Sequence, residues 1–197
     1  MALWLRAATY EDAGAIASIY APYVERTVIS FEEVAPTAEQ IRERMHPAFA
    51  WLVACEDDRV VGYAYSSRHR DRASYRWSVD VSVYLDERWH RRGVGRALYA
   101  SLLEALRTQR FIRAYAGITL PNQASVALHE AMGFARIGVY AAVGYKFGRW
   151  RDVGWWGLAL GSADGGAEPA EPIAASELMT TPDWQRCIDA GTRLLRV

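Results

Sequence analysis

Between Tyr75 and Leu85 apolar and polar residues alternate: Tyr75, Trp77, Val79, Val81, Val83 and Leu85 against Arg76, Ser78, Asp80, Ser82 and Tyr84. Successive side chains of an extended strand point to opposite faces, so this period of two predicts a strand over 75–85 with one apolar and one polar face. A short charged stretch follows, and then Val94, Ala97, Leu98, Ser101, Leu102 and Ala105 recur at helical spacing behind a glycine-bearing turn. Strand, loop and amphipathic helix in that order predict a mixed α/β layer structure.

The rest of the chain reads in the same way. Residues 2–7 suggest an opening strand, and Thr9-Tyr10-Glu11-Asp12 carries a capping signal ahead of Ile16, Ile19, Tyr20 and Tyr23 at helical spacing. Pro22 is expected to end or kink that helix. Thr37 with Gln40 forms a capping box for a second helix that stops before Pro47. Residues 49–55 and 60–66 read as a hairpin across Glu56-Asp57-Asp58-Arg59. A strand over 111–120, a helix capped by Asn122 and closed by Gly133, and two last strands containing Val139 and Trp155 complete a domain expected to span residues 1–160. From Gly161 to Pro172 the composition turns to Gly, Ala, Ser, Pro and acids, which reads as a linker. Beyond it, Thr181-Pro182-Asp183 looks like the start of a short C-terminal helix, with Trp184, Ile188, Leu194 and Leu195 as apolar anchors.

Composition narrows the function. The 197 residues fit one ordinary domain, and Lys plus Arg equal Asp plus Glu at 23 each, so no excess charge favours a nucleic acid. No apolar run is long enough to span a membrane, and the apolar opening is too short for a signal-peptide core, which makes the cytoplasm the expected compartment. Cys55 and Cys187 lie far apart and form no ligand-spaced cluster, so neither a disulfide nor a metal site is expected.

The segment His90-Arg91-Arg92-Gly93-Val94-Gly95-Arg96 lies between strand and helix, where unpaired amides and the helix dipole favour an anion. Gly93 and Gly95 would allow a pyrophosphate close to the backbone, although such a pair at a helix start is more often a tight turn. The Lys-Ser/Thr ending of a nucleotide P-loop is missing, and no third Gly completes a dinucleotide fingerprint.

In this context the chain resembles the GCN5-related N-acetyltransferase superfamily over about residues 2–160. The superfamily pattern is Gln or Arg, two residues, Gly, one residue, Gly or Ala, behind a strand whose backbone holds pantetheine; His90 takes the Gln/Arg position. Asn122-Gln123-Ala124-Ser125-Val126-Ala127-Leu128-His129-Glu130-Ala131-Met132-Gly133-Phe134 is similar to the closing Asn, helix and Gly-Phe element along the CoA arm, with His129 where a Tyr is usual. The resemblance narrows to phosphinothricin and methionine sulfoximine acetyltransferases through Thr27-Val28-Ile29-Ser30-Phe31-Glu32, through the run Tyr75 to Tyr84, and through Gly144-Tyr145-Lys146-Phe147-Gly148-Arg149-Trp150-Arg151-Asp152-Val153-Gly154. His129 is typical of that subgroup, whereas Asp80 stands where the subgroup usually has Glu.

The resemblance implies a mixed, mostly antiparallel central sheet with helices on both faces, acetyl-CoA as cosubstrate, a small amino-acid-like amine as acceptor, and a homodimer. Val81, Ser82 and Val83, the loop Arg91, Arg92, Gly93, Val94, Gly95 and Arg96, and Asn122 with Ser125 would hold the cofactor; Asn122 can serve as a helix cap at the same time. An amine attacks a thioester only as the neutral base. Asp80 would take its proton directly or through one water, His129 would help relay protons, and amides near Val81–Val83 would polarise the thioester carbonyl. Phe31, Arg72 and Tyr75 would contact the acceptor, Arg72 by matching a carboxylate, with Arg68, Arg70 and Arg76 as competitors. The alternatives are an acetyltransferase for another amine, such as an antibiotic, a polyamine or a protein N-terminus, and a non-catalytic CoA-binding module.

Overall fold

The computed structural model describes residues 3–163 and 169–195. In chain order the elements are β1 (Leu3–Ala7), α1 (Ala13–Arg26), α2 (Ala38–Arg44), β2 (Trp51–Glu56), β3 (Arg59–Arg68), β4 (Ser78–Leu85), α3 (Val94–Thr108), β5 (Arg113–Leu120), α4 (Gln123–Ala131), β6 (Ala135–Lys146), β7 (Arg149–Ala159), α5 (Ala175–Leu178) and α6 (Pro182–Thr192). The strands form one sheet in the order β1-β2-β3-β4-β5-β7-β6. Every neighbouring pair is antiparallel except β4 with β5.

Alternation along the strands sends side chains into two cores. Val79 and Val81 of β4 join Leu98, Leu102 and Leu106 of α3, all buried, on one face. Tyr84 turns to the other face, where α1 and α2 pack Ile16, Tyr20, Val24 and Ile41 over Trp51, Val53 and Tyr63. A fully buried leucine contributes about 1.5–3 kcal/mol, so α3 is the main anchor of its face.

Several local expectations are met. Thr37 caps α2 in a reciprocal box, its hydroxyl accepting from the Gln40 amide at 3.3 Å and Gln40 Oε1 accepting from the Thr37 amide at 2.9 Å. Asp12 accepts from the Thr9 amide and pairs with Arg6. Three expectations need correction. The strand begins at Ser78, not Tyr75: Val79 is the last β4 residue paired to β3, and Ser78 the first paired to β5, so residues before Ser78 have no ladder partner and Ala73–Tyr75 closes a 3-10 turn. The first helix runs through Pro22 to Arg26, because Ser18 and Pro22 lie on its exposed face, where solvent can serve the carbonyl that proline leaves unpartnered. Leu194 is not an anchor; the helix stops at Thr192 and the changed phase leaves Leu194 exposed while Leu195 is buried. Ala2 of the expected opening strand, and residues 164–168 of the expected linker, lie outside the described residues.

The tail packs on its own domain. Gln109 Nε2 donates to the Ile173 carbonyl at 2.9 Å, the Ile173 amide donates to the Gln109 backbone carbonyl at 3.0 Å, and α6 then runs antiparallel along α3. Ser101 Oγ donates to the Ile188 carbonyl at 2.9 Å and accepts from the Gly191 amide at 3.1 Å. A Cβ on Gly191 would lie only 2.1 Å from the Ala97 carbonyl oxygen, so the helices cross closely here because residue 191 has no side chain.

Candidate active site

The parallel pair of β4 and β5 is short. Only Ser78–Asp80 pair with Arg113–Tyr115, whereas β4 stays paired to β3 as far as Leu85 and β5 stays paired to β7 as far as Leu120. Past Asp80 and Tyr115 the two strands therefore diverge and leave a wedge-shaped gap. Along it, the N–H and C=O groups of Val81–Val83 directed away from β3 have no ladder partner among the described residues, while those of Leu85 are taken by the Tyr23 hydroxyl, and unpaired strand groups are a template for an extended, amide-containing ligand. That fits the pantetheine arm of acetyl-CoA along Val81, Ser82 and Val83.

The loop after β4 carries the anion-binding features. Gly93 caps α3 at φ +81°, a left-handed conformation that favours glycine, and the first-turn amides of Val94, Gly95 and Arg96 have no partner inside the helix. Arg91, Arg92 and Arg96 are exposed, and the Arg92 guanidinium lies 5.1 Å from the Trp89 ring. These groups fit a pyrophosphate. A Cβ at Gly95 would meet Leu128 at 3.4 Å, Leu85 at 3.6 Å and Val83 at 4.0 Å, ordinary contacts on the side where α3 packs against β4 and α4. His90, at the motif's first position, accepts or donates a 2.8 Å hydrogen bond with Tyr23, whose hydroxyl donates to the Leu85 carbonyl at 2.6 Å.

Asp80 stands at the vertex of the wedge with a partner that sequence reasoning missed. His69 Nδ1 lies 2.7 Å from Asp80 Oδ1, with side-chain exposures of 13% and 29%. Burial pushes the Asp80 carboxyl above its ordinary range, and the His69 hydrogen bond opposes that rise. The imidazole stacks on Tyr115 at 4.5 Å and meets Tyr75 and Trp155 edge-on at 6.0 and 6.1 Å. Arg70 donates to the His69 carbonyl and lies 5.7 Å from the Trp155 ring, and the buried indole N–H of Trp155 has no hydrogen-bond partner among the described residues. Arg72, the expected carboxylate partner, is exposed and borders a cavity of about 430 Å³ with Arg68, Arg70, Phe49 and Phe111 on the side of the tail. Arg70 is the arginine that the fold brings beside Asp80, and Arg76 pairs with Glu171. Tyr75 reaches the site through its ring contact with His69.

A second wall comes from the segment between α1 and α2. Lys146 at the end of β6 is buried and donates to the carbonyls of Val24, Ser30 and Glu32 at 2.6, 2.7 and 2.9 Å. Three donors meet three acceptors, which ties this segment to the β6–β7 hairpin. Phe31 is thereby pressed against Gly144; a Cβ there would come within 2.2 Å of the Phe31 ring. Glu32 accepts both Arg44 nitrogens at 2.7 and 2.9 Å and the Tyr20 hydroxyl at 3.0 Å.

His129 is placed elsewhere in the hydrogen-bond pattern than expected. It is buried, its Nδ1 lies 2.7 Å from the Ser125 carbonyl, and its Nε2 lies 2.9 Å from the Tyr99 hydroxyl. A donating Nδ1–H leaves Nε2 to accept from Tyr99, and burial holds the imidazole below its ordinary pKa. Among the described residues no hydrogen bond joins it to Asp80; both nitrogens are occupied within the α3–α4 layer. Asn122 Oδ1 accepts from the Ser125 amide at 3.1 Å and so is the cap of α4.

The acetyltransferase (GNAT) domain model matches residues 5–155. A phosphinothricin N-acetyltransferase of Streptomyces viridochromogenes is 38% identical over 155 residues, covering 77% of this chain and 85% of the relative. An L-methionine sulfoximine/L-methionine sulfone acetyltransferase of Salmonella typhimurium is 32% identical over 161 residues, 79% of this chain and 94% of the relative. Among solved structures, a phosphinothricin acetyltransferase from Sinorhizobium meliloti in complex with AcCoA superposes with a TM-score of 0.82 at 32% identity, covering 89% of this chain and 97% of that one. With the wedge, the anion-binding helix start and these matches together, the chain belongs to the GNAT family of acetyl-CoA-dependent N-acetyltransferases.

Proposed function

We propose that this enzyme acetylates the amine of a small amino-acid-like acceptor, such as phosphinothricin or methionine sulfoximine or sulfone. One observation carries the reading: beside the wedge vertex, the half-buried Asp80–His69 pair is flanked by the Arg70 guanidinium and the unpartnered Trp155 indole N–H. A site that must strip a proton from an ammonium needs a base, and an acceptor that also carries an anion needs cationic and neutral donors. Acetyl-CoA supplies the acyl group as an activated thioester. The unpaired amides along Val81–Val83 orient and polarise that carbonyl, the α3 amides with Arg91, Arg92 and Arg96 hold the phosphates, and the Asp80 carboxylate provides the charge that draws the proton away. Attack is direct: Cys55 and Cys187 are buried with thiols pushed above their ordinary pKa by burial, the reverse of an activated nucleophile.

A second copy of the chain is the proposed partner, and the cytoplasm the proposed compartment. β6 is an edge strand, and Ile137, Tyr140, Val143 and Tyr145 on it, with Phe147 and Trp150 after it, are all at least half exposed. Sedimentation of the dilute protein tests this, and a monomer at micromolar concentration contradicts it.

Thiol release from acetyl-CoA with a panel of amines tests the activity. Turnover with methionine sulfone or phosphinothricin supports the reading. Acetyl-CoA binding without turnover on any amine would establish a CoA-binding module instead.

A further inference from the structure

Resting on the acetyl-transfer reading above, we propose that the atom accepting the amine proton is His69 Nε2, with Asp80 fixing the ring from behind. The ring overlies Tyr115, which pairs directly with Asp80 where β4 and β5 part, so the imidazole covers the point at which the wedge begins. Its Nδ1 is committed to Asp80 Oδ1 at 2.7 Å, and a carboxylate there selects the tautomer with hydrogen on Nδ1. That leaves a lone pair on Nε2, for which the described residues provide no hydrogen-bond partner. Contacts with Tyr115, Tyr75 and Trp155 hold the ring plane, and the Arg70 hydrogen bond to its carbonyl holds the backbone.

The proton balance is simple. The ammonium gives one proton to Nε2, and Asp80 compensates the imidazolium. The freed lone pair forms the N–C bond to the acetyl carbon, the C–S bond breaks, and its electron pair leaves with sulfur. A second proton leaves the nitrogen; one of the two ends on the CoA thiol and the other in solvent. The charged and titratable groups around the ring are Asp80 from β4, Arg70 from the same loop, Tyr75 from the 3-10 turn and Tyr115 from β5, and the Asp80 charge in turn raises the Tyr65 phenol of β3.

The test compares wild type, His69→Gln and Asp80→Asn, each as full chain, in a pH profile of kcat/KM with one good acceptor. Calorimetric acetyl-CoA affinity serves as the fold control. Nitrogen NMR of the ring provides a readout independent of turnover. His69→Gln should lose about 10²-fold or more near neutral pH, the lower range for general-base catalysis, with part recovered at high pH as free amine accumulates. The wild-type acid limb in the imidazole range should vanish with it. The ring should carry its hydrogen on Nδ1, and Asp80→Asn should remove that preference while cutting the rate. If His69→Gln stays within about tenfold of wild type and keeps the acid limb while Asp80→Asn loses about 10²-fold, Asp80 is the acceptor and the proposal fails. Nδ1 found bare in wild type overturns it equally. A wild type that turns over no amine at all contradicts the acetyl-transfer reading itself, and is distinguished by that from failure of the His69 assignment.

Discussion

Replacing Gly191 by Ala should detach the C-terminal helix from α3. The new methyl would lie 2.1 Å from the Ala97 carbonyl oxygen, 2.4 Å from Ser101 Oγ and 2.7 Å from Leu5 Cδ1, and two of these three neighbours sit in the fully buried spine of α3. Restoring ordinary contact requires α6 to withdraw by more than about 1 Å, because carbon and oxygen need roughly 3.3 Å or more. That movement breaks the two hydrogen bonds through Ser101 Oγ, worth about 1 kcal/mol each, and adds about 1–3 kcal/mol for overpacking. The expected loss is about 3–5 kcal/mol, or about 6–20 °C in Tm for a chain of this size. The backbone carbonyl of Leu194 is the nearest group to a Cβ built at Gly93, at 3.9 Å, so the same movement disturbs the pyrophosphate loop and should weaken acetyl-CoA binding. Thermal melts and calorimetry on the purified variant measure both. A Tm within about 2 °C of wild type would refute the close α3–α6 crossing.

The remaining expectations are local. Gly95→Ala should be tolerated, since its methyl meets Leu128 and Leu85 at 3.4 and 3.6 Å, whereas Gly95→Glu forces a carboxylate into that apolar wall and should abolish acetyl-CoA binding measured by calorimetry. Gly144→Ala should push the Phe31 ring aside and raise the acceptor KM several-fold while acetyl-CoA affinity holds; unchanged KM would remove Phe31 from the acceptor wall. His129 is held neutral by burial, so its folded pKa lies below its unfolded one, and the unfolded chain takes up the proton first as pH falls. Its contribution is therefore present above pH about 6.5 and lost as pH falls through the folded value. Denaturant midpoints at pH 8 and 5.5 should converge in His129→Gln relative to wild type; equal pH dependence in the two proteins would contradict this.

Where function was legible in the sequence, a local spacing carried it. The alternation across Val79–Leu85 set the register of β4, Thr37 and Gln40 announced α2, and the glycine turn announced the start of α3. A sequence shows that Gly95 lacks a side chain, but not that Leu128 and Leu85 stand at contact distance from a Cβ there. His69 was missed because no spacing links it to Asp80. The β3–β4 register supplies the link: Ser67 pairs with Asp80, and His69 follows two residues later with the same parity. Lys146 gave no signal of burial, since its three carbonyl partners lie more than a hundred residues away. His129 and Arg72 have surroundings that no spacing announces: Tyr99 and Ser125 hold the two nitrogens of His129, and Arg72 borders the tail cavity together with Arg70.

The most direct measurement of the central claim is an internal competition. Acetyl-CoA, methionine sulfone, phosphinothricin, spermidine and an aminoglycoside are mixed at equal concentration with the enzyme, and the acetylated products are quantified by mass spectrometry in the first few per cent of reaction. Relative kcat/KM values follow from the product ratios. The account predicts N-acetylated amino-acid-like products in at least about tenfold excess over the others, the discrimination of one well-formed anion contact at about 1.4 kcal/mol. Predominant acetylation of spermidine or the aminoglycoside would contradict it.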